Sequence, residues 1–307
     1  MARARCWIPA GLSGFFVPHI TDDVRTTGAC GGGFALDRGV EVEVAIEYID
    51  GDRVEVINRI NGVDIESKLA RYVVERIVEK YGLQKGIRVL IEQRIDVPIG
   101  GGYGTSGASA LGIALALAKA AKVRATLLDL AMAAHEADIA SRTGLGTVVG
   151  LLGPKHGIVL VVKAGGPGTA VVDCIPMDSS LYVVTAFYGA KDKTEILSNI
   201  HTLGFIRDVG LKTLRRVLET PSPEVFAEQC EEFARRTGLM ISRISRVIEE
   251  AKRLEGVLGG SMNMIGDGLF LIVEKDRVED VVHIIESVEK PRWVHWFRPG
   301  IGCEIRC

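Results

Sequence analysis

PIGGGYGTSGASA, residues 98–110, follows the apolar run Gly86 to Val97 and leads into a stretch of small residues at helical spacing, which makes it a glycine loop between a strand and a helix. Its glycines leave successive backbone N–H groups free to point inward, and a loop of this kind feeding a helix N-terminus is an anion site. A tight turn that only lets the helix pack closely would have the same composition. Thr105 and Ser106 tilt the reading toward phosphate, because hydroxyls in a first helical turn cap the helix or ligate Mg²⁺ beside phosphate oxygens.

Two familiar nucleotide motifs fail here. Gly102 to Gly107 formally satisfies G-x-G-x-x-G, yet the dinucleotide fold needs a second strand ending in an acidic residue about 20 residues on, and this chain enters another helix at Thr126. A P-loop needs Gly-Lys-Ser/Thr, and no lysine follows Gly107 before Lys119.

The helix after Thr126 opens with Thr126-x-x-Asp129, a capping-box-like start. Positions 128, 131, 135, 138 and 142 form one stripe at three-and-four spacing, reading Leu, Ala, His, Asp, Arg. His135, Asp138 and Arg142 are thereby placed to converge near the turn Gly144-Leu145-Gly146, while Glu136 points about 200° from Asp138. An ordinary solvated last turn would read the same way. Further on, Gly256 to Gly268 (GVLGGSMNMIGDG) is a second hydroxyl-bearing glycine loop before an apolar strand. Two such loops in different halves can close around one ligand, and a glycine-rich strand entry that merely bends is the alternative.

Elsewhere the pattern is mixed α and β. VEVEVAIEYI, residues 40–49, alternates at period two and Asp50-Gly51-Asp52 turns it into Arg53 to Ile57, which predicts a hairpin. Leu69, Val73, Ile77 and Tyr81 mark a helix ending at Gly82. Helices are expected over about 106–121 and 127–142, a strand over Gly157 to Lys163, and a loop over Ala164 to Gly168. Leu181 to Tyr188 is a strand, followed by four helical segments through about Leu254, marked by Thr194 and Pro223. Strand 269–274, helix 277–286 and strand 293–306 close the chain. The divide falls between residues 178 and 179.

Hydrophobic residues make up 47% of the 307, and 37 basic against 39 acidic side chains leave a net charge of -2, which removes electrostatic attraction as a reason to expect nucleic acid or an anionic membrane. The six cysteines form no C-x-x-C pair, so zinc has little support and free thiols are expected; Cys303 and Cys307, four apart, are the pair that could close in an oxidising or heat-adapted cell. Pro9, Gly11, Gly14 and Pro18 break the apolar run near the N-terminus, which reads as mature protein. The longest apolar helical stretch, Gly107 to Ala118, is too short to span a bilayer.

Taken in order, WIPAGLSGFF, PIGGGYGTSGASA, HEADIASRTGLG and GGSMNMIGDGLF resemble the motif layout of the GHMP small-molecule kinases, and within them the archaeal pantoate kinases. The resemblance covers nearly the whole chain. It implies an α+β, two-domain GHMP kinase-like fold: an N-terminal ATP-binding domain over 1–178 with a left-handed βαβ element, and a ferredoxin-like C-terminal domain over 179–307. It implies that Gly100, Gly101, Gly102, Gly104, Thr105, Ser106, Gly107 and Ala108 wrap the ATP phosphates and that Ser106 and Asp138 hold Mg²⁺. His135, Arg142 and the early glycine turn at Gly28 and Ala29 would meet the acceptor, with Arg25 and Lys163 as other candidate cations. Thr147 stands where the relatives tend to have a carboxylate after T-G-L-G, and Ala29 and Val161 to Lys163 stand where they tend to have a serine and an arginine. The implied activity is phosphorylation of pantoate to 4-phosphopantoate for coenzyme A synthesis by a cytoplasmic homodimer. The departures keep two other readings open, a sister kinase with another hydroxylated acceptor and a silent nucleotide-binding homologue.

Overall fold

The computed structural model describes residues 2–84, 86–154, 156–190 and 200–307. Two sheets organise it. The first contains β1 (Ala2–His19), β2 (Gly28–Tyr48), β3 (Val54–Ile60), β4 (Val63–Asp64), β5 (Ile87–Ile95), β6 (Gly157–Lys163) and β7 (Val171–Pro176), in the order β4-β3-β5-β2-β6-β7 with β1 also on β2. The second contains β8 (Leu181–Gly189), β9 (Val257–Met262), β10 (Asp267–Glu274) and β11 (Trp293–Phe297), in the order β11-β8-β10-β9. With helices between β8 and β9 and between β10 and β11, that is the β-α-β-β-α-β, ferredoxin-like arrangement.

The expected hairpin after Val40–Ile49 does not form. β3 pairs in parallel with β5, and β5 lies between β2 and β3. The helix α1 (Lys68–Lys80) makes the crossover from β3 to β5. Charge explains part of this order: Glu47 of β2 and Glu55 of β3 both face Arg88 of β5, at 3.4 and 2.7 Å. A direct β2–β3 pairing would bring the acidic faces of two strands together, which is unfavourable across a ladder. Ser67 caps α1 by accepting the Ala70 N–H, and Ala70, Val73, Val74, Ile77 and Val78 bury its inner stripe.

The early glycine turn is not a turn either. Gly28 to Gly33 lies within β2, a 21-residue strand, against β1, an 18-residue strand containing the residues that interrupt the N-terminal apolar run. Register shifts between Pro9 and Gly11 and between Ser13 and Phe15 absorb those residues. Likewise the first part of the GVLGGSM segment is the strand β9, leaving a tight turn at Asn263–Gly266. The final strand stops at Phe297 rather than continuing to Arg306, which forms only an isolated bridge to Trp7.

Helices α2 (Thr105–Ala120) and α3 (Leu127–Ala140) lie where their small-residue patterns place them, and Thr126 accepts the Asp129 N–H as predicted. A short α4 (Thr147–Leu152) follows. Among the described residues the 200–254 region holds α5 (Ile200–Glu219), α6 (Pro223–Arg236) and α7 (Ser242–Ala251); the start expected at Thr194 lies outside the described residues. The helix α8 (Val278–Val288) completes the second half.

The halves share one core. Phe34 of β2 meets Phe226 of α6 and Phe270 of β10 edge-on, each at 5.7 Å, and Phe15 of β1 meets Phe233 of α6 at 6.1 Å. Such pairs add about 0.5–1.5 kcal/mol each beyond their burial. The cysteine expectation is corrected too: Cys6 and Cys307 form a disulfide, while Cys303 is buried with its thiol on the Ala35 carbonyl. Four apart in sequence says little about proximity: the bridge of Arg306 to Trp7 carries Cys307 to β1 and Cys6.

Candidate active site

The phosphate-type loop alternates left-handed glycines: Gly100, Gly102 and Gly104 have φ of 80°, 84° and 61°. That alternation turns neighbouring N–H groups to one side, the geometry of an anion-binding nest. Gly104 is also the N-cap of α2, and no side chain caps the first turn. The N–H groups of Thr105, Ser106 and Gly107 therefore precede the first intrahelical bond, which Ala108 makes to the Gly104 carbonyl at 3.1 Å. Thr105 and Ser106 are part-exposed at this terminus, and Ala108 is buried. Of the two roles open to these hydroxyls, capping the helix is not the one seen.

The loop is clamped from two sides. Gly11 N–H of β1 donates to the Tyr103 carbonyl at 3.0 Å, and Met264 N–H donates to the Ser13 carbonyl at 2.8 Å. Gly266 packs so closely on the peptide of Gly101 and Gly102 that a Cβ would overlap it. The second glycine segment thus braces the first at Gly266, and its Met264–Ile265 turn lines the same cavity as Gly102 and Gly104. Tyr103, missed at the level of sequence, is the side-chain anchor: it is 1% exposed and bonds Thr185. Burial raises its phenol above the ordinary value, so it remains a donor. A lone aromatic inside a glycine run was the available signal.

Behind the loop, Asp138 ends the inner face of α3 and is 2% exposed. The Thr143 hydroxyl donates to its Oδ1 at 2.6 Å, and Oδ2 lies against Gly144, where a Cβ would overlap it. The Thr147 hydroxyl faces the same spot, 3.0 Å from that Cβ position, and the Thr147 methyl packs on Gly104 and Gly107. Asp138, Thr147 and the loop are therefore brought together. The solvated reading of this helix end is excluded, since His135, Glu136 and Asp138 are all buried. Glu136 does point elsewhere, to Arg76, at 2.7 Å.

His135 and Arg142 take other positions. His135 Nε2 donates to the carbonyls of Thr27, at 3.0 Å, and Val24, at 3.2 Å. Two carbonyl partners require the Nε2–H tautomer. Burial outweighs these bonds and lowers the imidazole below its ordinary value of 6.5. The ring thus ties down the 21–27 segment and spends Nε2 on main chain. Arg142 leaves the stripe because α3 ends at Ala140 and Arg142 itself is left-handed, φ 55°, and exposed. Arg25 pairs with Asp23 at 2.8 Å on the surface, and Lys163 is exposed at the end of β6.

A cavity of about 160 Å³ adjoins Gly102 and Gly104, with walls from β1, β2, β6, the Thr143–Thr147 turn and the Met264–Ile265 turn. It is below the range of about 300–1,000 Å³ typical for drug-sized ligands, the scale of a small molecule. Ala29 lines it, whereas Gly28 packs on Gly165. Among the described residues its lining contains Ser13, Cys30, Thr143 and Thr147 as polar side chains and otherwise glycine and apolar groups, with no lysine, arginine or histidine. The arrangement can hold phosphates on main-chain N–H groups and set a small hydroxylated molecule beside them.

Comparison with known proteins agrees. Residues 68–150 match the GHMP kinases N terminal domain. The chain is 32% identical to the pantoate kinase of Thermococcus kodakarensis over 306 residues, covering 97% of this chain and 98% of that one. It is 28% identical to the pantoate kinase of Methanocaldococcus jannaschii, covering 91% and 96%. A solved structure described as a phosphotransferase related to the CoA biosynthesis pathway superposes with a TM-score of 0.81 at 30% identity, covering 96% of this chain and 99% of the other.

Proposed function

Because this chain belongs to the pantoate kinase family of GHMP kinases, we propose that it transfers the γ-phosphoryl group of ATP to the primary hydroxyl of pantoate, giving 4-phosphopantoate and ADP. The observation that carries this reading is the nest of left-handed glycines feeding an uncapped helix directly beside a small-molecule cavity. Successive N–H groups would neutralise the β- and γ-phosphate oxygens, and the helix dipole adds to the effect.

The residues present fit a Mg²⁺ ion. Ser106 at the open helix terminus and Asp138, with Oδ2 turned toward Gly144, would hold it. Among the described residues no group of three or more His, Cys, Asp or Glu side chains gathers around a point, which suits a cation that completes its shell with phosphate oxygens and water. Bound there, Mg²⁺ would offset charge on the transferred phosphoryl group. The acceptor oxygen forms the new bond to γ-phosphorus as the bond to the β–γ bridging oxygen breaks, and the hydroxyl proton leaves to solvent or phosphate. Thr147 cannot act as a carboxylate base, but the transition state is loose and depends mainly on positioning and charge. Thr147 supplies position: its methyl supports Gly104 and Gly107, and its hydroxyl lies beside Gly144 in the turn that lines the cavity.

The apolar walls suit the hydrocarbon centre of pantoate, and its carboxylate would lie toward the mouth, with Arg142, next to the lining residue Thr143, as the candidate cation. The enzyme would act in the cytoplasm as a homodimer, as its resemblance to the family implies. That the lining holds no cation among the described residues also favours a second reading, a neutral hydroxylated acceptor. Pantoate-dependent ADP release supports the first, and release with a neutral alcohol but not with pantoate replaces it by the second.

A further inference from the structure

Tyr103 stands between two left-handed glycines of the loop, Gly102 and Gly104, yet its side chain leaves the first sheet and enters the second half. The ring stands edge-on to Trp293 of β11 with centroids 5.4 Å apart. Its hydroxyl lies 2.9 Å from Thr185 Oγ1 on β8, and Thr185 Oγ1 donates to the Leu269 carbonyl on β10 at 2.7 Å. A threonine hydroxyl carries one hydrogen, which is committed to Leu269, so the tyrosine is the donor of the other bond. Thr185 is fully buried.

A phenylalanine would fill the same volume and pack on the same tryptophan. The hydroxyl adds a directional bond to Thr185, with the Asn263 side chain as a second polar neighbour, which fixes how deep the ring sits, and a buried polar cluster of this kind has one satisfied geometry. Depth matters here because the main chain of Tyr103 is held at its other end by Gly11, and Gly101, next but one, packs on the Tyr103 ring and on Phe187. Moving the ring therefore moves the peptides that carry the loop's N–H groups.

We propose that Tyr103 is a positioning residue for the nucleotide: its bond to Thr185 sets the spacing of the loop N–H groups against the phosphates, so that the second sheet tunes ATP affinity. The proposal rests on the kinase reading of the 100–108 loop. Preorganised donors lose affinity when the structure that aims them loosens, and loss of one net hydrogen bond corresponds to about a three- to tenfold change.

The test is titration calorimetry of Mg·ATP without acceptor, using wild type, Tyr103→Phe, Thr185→Val, the double variant and Thr185→Ser, with ATP and acceptor KM and thermal midpoints alongside. The expected result is an ATP Kd weakened about three- to tenfold in each of the first two variants. The double variant is no worse than the weaker single, Thr185→Ser binds like wild type, and the acceptor KM is unchanged. An unaltered ATP Kd in a folded Tyr103→Phe protein overturns the proposal, as do additive losses or an equal loss in acceptor KM. A wild-type protein that fails to bind ATP overturns the kinase reading itself, and the proposal with it.

Discussion

The Thr143 hydroxyl donates to Asp138 Oδ1 at 2.6 Å while the Thr143 N–H donates to the Asp138 carbonyl at 3.0 Å. The chain leaving α3 thus folds back over the last carboxylate of the helix and orients it. One carboxylate oxygen is held by the threonine hydroxyl, and the other turns toward Gly144 and Thr147. A carboxylate oriented in this way needs no rearrangement before it meets a cation.

Asp138→Asn keeps the shape and removes the charge. It is expected to lower kcat by about 10²–10³-fold, the usual cost of one electrostatic stabiliser at a reacting centre, with unfolding little changed. Thr143→Val removes only the orienting bond and is expected to cost about ten- to a hundredfold. Steady-state kinetics with circular dichroism on each variant checks both; equal activity in Asp138→Asn and wild type would contradict the assignment.

Gly266→Ala tests the brace beneath the loop. A Cβ there overlaps the Gly101 carbonyl, which is main chain and cannot swing aside. The substitution is expected to cost about 1–3 kcal/mol in stability and to raise the ATP KM more than the acceptor KM. Urea unfolding together with separate titration of each substrate measures the two effects.

His135 predicts the pH dependence of stability. Its folded value is lowered from 6.5 by burial, so below that pH the unfolded chain takes up a proton that the folded chain refuses. Stability from this group is therefore constant above about pH 6.5, falls as pH drops through it, and stops falling below the folded value. Urea midpoints from pH 8 to 5 should show the fall in wild type and a smaller one in His135→Gln.

The Cys6–Cys307 bond joins residues 301 apart in sequence. Non-reducing denaturation should expose four thiols to Ellman's reagent, matching Cys30, Cys174, Cys230 and Cys303. Reduction or Cys307→Ser should lower stability by about 2–5 kcal/mol, seen as a fall in thermal midpoint. Six reactive thiols in the unreduced chain would contradict the bond.

What could be read from sequence was local. The loop at 98–108 and the capped start at Thr126 need only composition and near-neighbour spacing, and both were legible. The stripe of His135 and Asp138 was legible until α3 ended, and Arg142 was lost because a left-handed residue after the helix breaks the period. Long-range pairing was not legible. Period two in residues 40–49 and 53–57 marks strands without saying which are neighbours, so the insertion of β5 between them was hidden. Glycines in 28–33 and 257–262 looked like loops because strands rarely use them; here neighbouring backbones approach so closely that side chains would not fit, as at Gly33 against Leu12 and Gly260 against Phe270.

The central claim is tested most directly by incubating the protein with ATP, Mg²⁺ and pantoate and following the product by ¹H–³¹P correlation, with Ser106→Ala in parallel. The account predicts a phosphomonoester coupled to the protons of the primary carbinol, formed with one ADP per product and largely lost in Ser106→Ala. Tight ATP binding with no pantoate phosphoester, or a product indifferent to Ser106, would contradict it.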